Sequence, residues 1–298
     1  MKRIYVSLLL IIGGLAACQS SEEANTSQTE QNTDKEEQEK AETEETSDVP
    51  LTDGLGYYAG DFEPVDFDYE KDIYHENKIT ISIDSLNEAN ETIYGHSIVA
   101  GNKRPFKGTY EVTEAGYVAK VREPGDDPYD GVFNFTIDLK EKTMTGTWDA
   151  FQQNASANAT KYTLEHRIFI YDPALTLPEN VQWARLYDET SLAANLTREG
   201  EALTEDVLKV NPSLQELTNK DIENLTKGDL EVIRNSIYAR HGYSFKNRKM
   251  RFVFDHIDWY MPVSTDVRNQ LTALELKNID LLKRYEQHAA RYYDSFGR

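Results

Sequence analysis

The sequence lacks the cysteine pairs that form disulfides and the long apolar runs that span membranes. Cys18 is the single cysteine in 298 residues, so no disulfide can form within the chain and a folded domain must depend on apolar packing. The apolar run near the N-terminus, residues 6–12, is well short of the roughly 18 residues that a transmembrane helix needs. Positive charge is scarce, with 32 Lys and Arg against 52 Asp and Glu and a net charge of −20. Nucleic acids and anionic lipid surfaces need a basic face, so neither partner is predicted.

The first 18 residues nevertheless follow a recognisable order. Lys2 and Arg3 give a basic start, the apolar run follows, and small residues precede Cys18. This order resembles a bacterial lipoprotein signal peptide, in which the cysteine is lipidated and becomes the new N-terminus. The resemblance implies that residues 1–18 are the signal and that several acyl chains on Cys18 anchor the protein durably, facing outside the cytoplasm. Gln19 and the acidic residues after it favour the outer membrane or the cell surface.

Residues 19–50 predict a disordered acidic tether. Residues 22–48 contain eleven acids and two lysines, without an aromatic or a large aliphatic side chain. Such a composition buries too little apolar surface to offset the entropy cost of folding. We therefore expect the folded part to stand away from the bilayer, with the lipid as its only membrane contact.

Residues 51–172 show the alternation expected of β-strands. Ile79, Ile81 and Ile83 alternate with polar residues, and the same period of two recurs along residues 133–140. Several short strands separated by turn clusters predict an antiparallel sheet with one wet face. Glycines two residues before Tyr110 and Trp148 indicate that strands bend there. We therefore expect a barrel or half-barrel similar to lipocalin-type domains, with a β-sandwich as the alternative.

The large aromatic residues of this domain allow two interpretations. Tyr57, Tyr58, Tyr110 and Trp148 either line a ligand cavity or fill the core of the curved sheet. Filling the core is the favoured interpretation, because aromatic rings bury a large apolar area when they point inward.

After a connector over residues 173–216, the pattern becomes helical over residues 217–290. Thr226 and Asp229 form a capping-box pair, the helix that follows carries an apolar stripe, and Gly242 provides a stop. The predicted fold class is therefore α+β, with an antiparallel β-domain followed by a small, mostly helical domain.

Residues 238–242 read Tyr-Ala-Arg-His-Gly, which is the signature of the YARHG domain family. Its usual companions also occur, at Phe252, at Phe254, at residues 259–262 and at Glu275 with Asn278. The resemblance covers residues 217–285. The family is extracytoplasmic, is frequently carried by lipoproteins and has no established activity. The resemblance therefore implies an envelope role, such as contact with a cell-wall or surface polymer.

The signature and its companions support two hypotheses. In the first, buried polar groups form a structural network in which Glu275 or Asn278 meets a basic residue of the signature helix. The candidate residues of this network are Arg234, His241, Glu275 and Asn278, with Arg240 as a further basic partner. In the second, aromatic rings and a guanidinium form a site that stacks on sugars or binds a carboxylate. The candidate ligand-binding residues are Tyr238, Arg240, Tyr243, Trp259 and Tyr260, and this hypothesis requires Arg240 and Trp259 to be exposed on one face.

An enzyme is the least supported class of protein. The sequence has no nucleophile elbow and no spacing typical of metal ligands, so no catalytic, cofactor-binding or metal-binding residue is predicted. The predicted function is a lipid-anchored binding or scaffolding protein of the bacterial cell envelope. Its expected partner is peptidoglycan, another glycan or another envelope protein, and not nucleic acid. A structural or assembly lipoprotein without a small ligand is the alternative, and an envelope hydrolase is the least favoured reading.

Overall fold

The computed structural model describes residues 50–68, 70, 77–152, 157–179, 181, 185–186 and 201–292. The predicted signal peptide, its Cys18 and the tether up to residue 49 lie outside the described residues. No helix within the described ranges combines the length and the apolar character needed to cross a bilayer.

The N-terminal domain is a closed barrel of eight antiparallel strands. Each strand pairs with its neighbours in sequence, and the first strand also pairs with the last one, as Tyr58 opposite His166 shows. The strands are β1 (Gly56–Pro64), β2 (Lys78–Asn87), β3 (Thr92–Val99), β4 (Asn102–Val112), β5 (Gly116–Arg122), β6 (Gly131–Asp138), β7 (Thr143–Ala150) and β8 (Ala159–Arg167). This topology confirms the predicted barrel, and the half-barrel and sandwich alternatives are wrong.

The barrel interior is filled by the apolar residues of the alternating strands. Phe133, Phe135 and Ile137 of β6 are buried, whereas the residues between them are more exposed. Gly146 allows two strands to approach closely, because a Cβ there would lie 2.3 Å from the carbonyl oxygen of Asn134. Trp148 follows two residues later and is buried. The predicted pairing of glycine and aromatic residue therefore has a packing role.

Strand β2 departs from the predicted wet face. Its outward residues Lys78, Thr80 and Ser82 are buried together with the inward isoleucines. The reason is the C-terminal domain, since Lys78 Nζ donates a hydrogen bond to the carbonyl oxygen of Ile257 at 2.6 Å. The two domains therefore pack against each other along this strand.

The C-terminal domain is mostly helical. Its α-helices in the described residues are α1 (Asn219–Ile222), α2 (Lys227–Arg240), α3 (Arg248–Phe254) and α4 (Ala273–Tyr292). The short strands β9 (Arg185–Leu186) and β10 (Glu201–Ala202) pair as a small ribbon. The capping box of α2 is present, with the Asp229 N–H donating to Thr226 Oγ1 at 3.1 Å. Gly242 ends this helical segment with a φ of 72°.

Helices α2 and α4 pack together around one apolar core. Leu230 and Ile233 of α2, Leu282 of α4 and Phe254 of α3 are fully buried in it. The loop before α3 contacts one end of the barrel, where the Gly101 N–H donates to Ser244 Oγ at 2.9 Å. That end is formed by the last residues of the odd-numbered strands and the first residues of the even-numbered ones, and we call it the barrel mouth.

Candidate functional site

The end of α2, which carries the signature, meets α4 at a buried carboxylate. Glu275 is fully buried, and its Oε2 lies 2.8 Å from His241 Nε2. It also accepts hydrogen bonds from Ser213 Oγ at 2.8 Å and from the Thr272 N–H at 2.9 Å. Burial alone would raise the pKa of Glu275, but the donors at His241, Thr272 and Ser213 outweigh it and lower the pKa to about 2. The carboxylate is therefore held ionised inside the helical domain.

Asn278 lies one turn further along α4 and forms hydrogen bonds with the segment that precedes α1. Its Oδ1 accepts from the Leu217 N–H at 2.9 Å, and its Nδ2 donates to the carbonyl oxygens of Pro212 and Gln215 at 2.8 Å and 2.7 Å. The residue is 1% exposed. All of these bonds are internal, so the amide has a structural use.

Arg234 does not join this network. Its Nη2 donates to Glu286 Oε2 at 3.0 Å, at the other end of α4. Of the three basic residues considered as partners of Glu275 or Asn278, His241 contacts Glu275 and Arg234 contacts neither. Glu286 lies three turns beyond Glu275 on the same face of α4, and the level at which α2 crosses α4 places Arg234 beside the later carboxylate.

The five candidate ligand-binding residues do not form one exposed face, so the proposed stacking patch needs correction. Arg240 is 2% exposed and Tyr260 is 1% exposed. Tyr260 donates its hydroxyl to the Tyr243 carbonyl oxygen at 2.7 Å. Tyr238 and Tyr243 are half-buried beside a shallow hollow that also includes Arg268.

The signature residues instead bind the linking segment that leaves the barrel, residues 168–176. Tyr171 stacks on the His241 ring with centroids 4.2 Å apart and donates its hydroxyl to Glu275 Oε1 at 3.0 Å. Arg240 Nε donates to the Leu175 carbonyl oxygen at 2.8 Å. Trp259 Nε1 donates to the Thr176 carbonyl oxygen at 2.8 Å. The signature thus fixes the path of the chain between the two domains.

A cavity lies at the barrel mouth, roofed by α3. Its volume is about 390 Å³, and we call it the mouth cavity. Its aromatic lining consists of Phe62, Phe67, Tyr129, Phe133 and Trp148, and its polar and charged lining of Asn77, Ser97, Asn102, Arg104, Glu123, Thr160, Arg248 and Arg251.

Of the four aromatics considered from the sequence, only Trp148 lines this cavity. Tyr58 and Tyr110 are buried in the barrel core, as the favoured interpretation expected, and Tyr57 is half-buried. No local pattern predicts the polar and charged lining, because its residues come from five strands or adjoining loops and from α3. The repeat of arginine three residues apart in α3, directly after the signature, was the available signal.

Glu123 organises the wall behind Trp148. Its carboxylate accepts from Ser97 Oγ at 2.9 Å, from the Gly131 N–H at 2.8 Å and from Trp148 Nε1 at 3.2 Å. Burial raises the pKa of Glu123, and these hydrogen bonds oppose that rise. Because its two oxygens accept three hydrogen bonds, the Glu123 carboxylate is fixed in place and positions the indole ring of Trp148.

Two further polar side chains, those of Thr160 and Arg104, line the mouth cavity. Thr160 is 5% exposed, and its Oγ1 has no hydrogen-bond partner within the part of the chain that the structure describes. Arg104 is held against the acidic β5–β6 loop, with Nε 3.1 Å from Asp130 Oδ1 and Nη2 3.3 Å from Asp127 Oδ1. No group of three or more His, Cys, Asp or Glu side chains in the described ranges is arranged to hold a metal ion.

Comparison with known proteins identifies one domain. Residues 207–287 match the YARHG domain, which is typical of extracytoplasmic proteins. The match begins at residue 207, inside the stretch assigned above to the connector, and therefore includes Ser213, which donates to Glu275. No curated protein matches the chain significantly. The chain thus combines a C-terminal YARHG domain with an eight-stranded barrel, a fold that suits binding.

Proposed function

We propose that this chain is a ligand-binding protein of the bacterial cell envelope, with the mouth cavity as its binding site. In this proposal Cys18 carries lipid, residues 19–50 tether the folded part, and the ligand is a short segment of a cell-wall or surface glycan. The observation that carries the proposal is the cavity of about 390 Å³ between the barrel mouth and α3.

The size and lining of the cavity support this role. Small-molecule sites typically enclose about 300–1,000 Å³ and combine apolar walls with a few fixed polar groups. Phe62, Phe133 and Trp148 supply aromatic faces on which the apolar face of a sugar ring can pack. Thr160 Oγ1 supplies a buried hydroxyl without a protein partner among the described residues. An unpaired buried hydroxyl costs free energy that a bound hydroxyl or acetamido group would recover.

One observation favours a second candidate, a structural or assembly protein. The signature residues are used internally, since Arg240, His241 and Trp259 all contact the linking segment. A purely structural protein needs this rigid junction but has no use for the open cavity at the barrel mouth. The two candidate functions therefore make different predictions: filling the cavity should weaken ligand binding only if the protein is a ligand-binding protein.

The test is calorimetric titration of the full-length protein, purified in detergent, with soluble peptidoglycan fragments released by muramidase. Val99 lines the cavity, so Val99→Trp should fill it and reduce the affinity by at least about tenfold. Val118 is 44% exposed on the outside of β5, so Val118→Trp is the matched control and should bind like the wild type. Equal binding by the Val99→Trp variant, or no binding by the wild type, would contradict the proposal.

A further inference from the structure

The charge of the mouth cavity is opposite to that of the chain. The chain has a net charge of −20, yet three guanidinium groups and one carboxylate are found among the described lining residues. The carboxylate is Glu123, whose oxygens already accept three hydrogen bonds from the barrel. A cationic recess in an acidic surface attracts anions selectively, because the field is focused where solvent is excluded.

The arginines of the cavity have different surroundings. Arg104 lies against Asp127 and Asp130, and the charge of Arg251 acts on the buried carboxyl of Asp255. Arg248 and Arg251 come from α3, and their spacing of three residues places them on one face of the helix. Arg251 Nη1 donates to Asn77 Oδ1 at 3.2 Å, which orients its guanidinium at the start of β2. Both arginines of α3 are half-buried.

The barrel side of the cavity carries a cluster of aromatic side chains. Trp148 and Phe133 pack with ring centroids 6.4 Å apart, and Phe62 meets Trp148 edge-on at 5.9 Å. Thr160 Oγ1 adds a buried hydroxyl to the same wall. A ligand that fits these walls has a ring body on the barrel side and an acidic group on the α3 side.

We propose that the mouth cavity selects ligands that carry an oxyanion, a carboxylate or a phosphate, and that Arg248 and Arg251 of the YARHG domain bind it. This inference rests on the proposed function, since it assigns the ligand class of the same site. Guanidinium groups bind carboxylate and phosphate through paired, charge-assisted hydrogen bonds. The barrel then supplies the ring-binding wall and the YARHG domain supplies the anion receptor, so binding requires both domains.

The test compares three defined probes on the full-length protein in detergent by calorimetry. They are the disaccharide of N-acetylglucosamine and N-acetylmuramic acid, which carries a carboxylate, N-acetylglucosamine 6-phosphate, and the neutral di-N-acetylchitobiose. At least one anionic probe should bind about tenfold or more tightly than the neutral one. A preference for the carboxylate or for the phosphate then identifies the source of the anion.

Variants of the two arginines assign the receptor. Arg248→Ala and Arg251→Ala should each lower the affinity for the anionic probe about tenfold while leaving the neutral probe unchanged. Arg251→Lys keeps the charge and should retain part of the affinity. Arg268→Ala is the control, because Arg268 is an exposed arginine of the same domain outside the cavity. Thermal unfolding of each variant checks that the fold is intact.

These measurements distinguish a failure of the oxyanion selectivity from a failure of the cavity as a binding site. If the neutral disaccharide binds as tightly as the anionic probes, or if neither arginine variant lowers the affinity, the selectivity for an oxyanion is overturned while the cavity remains a binding site. If no probe binds and the Val99→Trp variant behaves like the wild type, the proposed function fails and this inference fails with it.

Discussion

Asp255 lies directly after α3 and should make the stability of the protein depend on pH. The residue is 5% exposed. Burial raises its pKa from 3.8 to about 7, although the charges of Arg251 and Lys78 and a hydrogen bond from the Lys78 main chain oppose the rise. The folded state therefore holds the Asp255 proton more tightly than the unfolded state does.

The sign and the size of the effect follow from this difference. The contribution of Asp255 is fully present below about pH 4, decreases as the pH rises, and is lost above about pH 7. A difference between 3.8 and about 7 corresponds to roughly 4 kcal/mol of unfolding free energy over that interval. Asparagine cannot ionise, so Asp255→Asn should remove this decrease. The variant should be more stable than the wild type near pH 8, by up to about 4 kcal/mol.

The assay is urea unfolding of the full-length protein in steps from about pH 4 to about pH 8, followed by circular dichroism. The other carboxylates titrate in both proteins, so the quantity of interest is the difference between the variant and the wild type at each pH. Asp258→Asn, at an exposed position three residues along, is the matched control for removing one carboxylate from this part of the chain. If the difference for Asp255→Asn does not change between about pH 4 and about pH 8, the raised pKa of Asp255 is wrong.

Three further predictions concern the junction and the anchor. Tyr171→Phe removes the hydroxyl bonded to Glu275 and should cost about 2 kcal/mol in urea unfolding, whereas no loss would mean that this contact is dispensable. Gly101→Ala should lower the unfolding free energy more than Gly125→Ala; both glycines have positive φ, but only at Gly101 would a Cβ clash, at 2.7 Å from a backbone nitrogen. Equal losses would contradict the predicted clash. Cys18→Ser should abolish incorporation of an alkyne-labelled fatty acid and release the protein from the membrane fraction, and continued labelling would exclude Cys18 as the site.

Local structure could be predicted from the sequence because local patterns determine it. The alternation in β6 and the capping box of Thr226 both correspond to observed elements. The sequence alone could not distinguish a closed barrel from a β-sandwich. It depends on the pairing of β1 with β8, whose opposed residues Tyr58 and His166 lie over 100 positions apart, and no local pattern reports such a contact.

The site could be predicted only in part, because partners depend on how helices cross. The sequence identified His241 and Glu275 as polar residues on facing helices, and the structure places them 2.8 Å apart. It could not choose between Glu275 and Glu286 for Arg234, since both lie on one face of α4. Tyr171 was missed because its contact with His241 joins residues that lie far apart in the chain.

The most direct test of the mouth cavity is tryptophan fluorescence of the full-length protein titrated with muramidase-released peptidoglycan fragments. Trp148 lines the cavity, whereas Trp259 belongs to the junction and does not. We expect a saturable change in the wild type that disappears in Trp148→Phe and persists in Trp259→Phe. No change in the wild type, or an unaltered change in Trp148→Phe, would contradict a binding site at the barrel mouth.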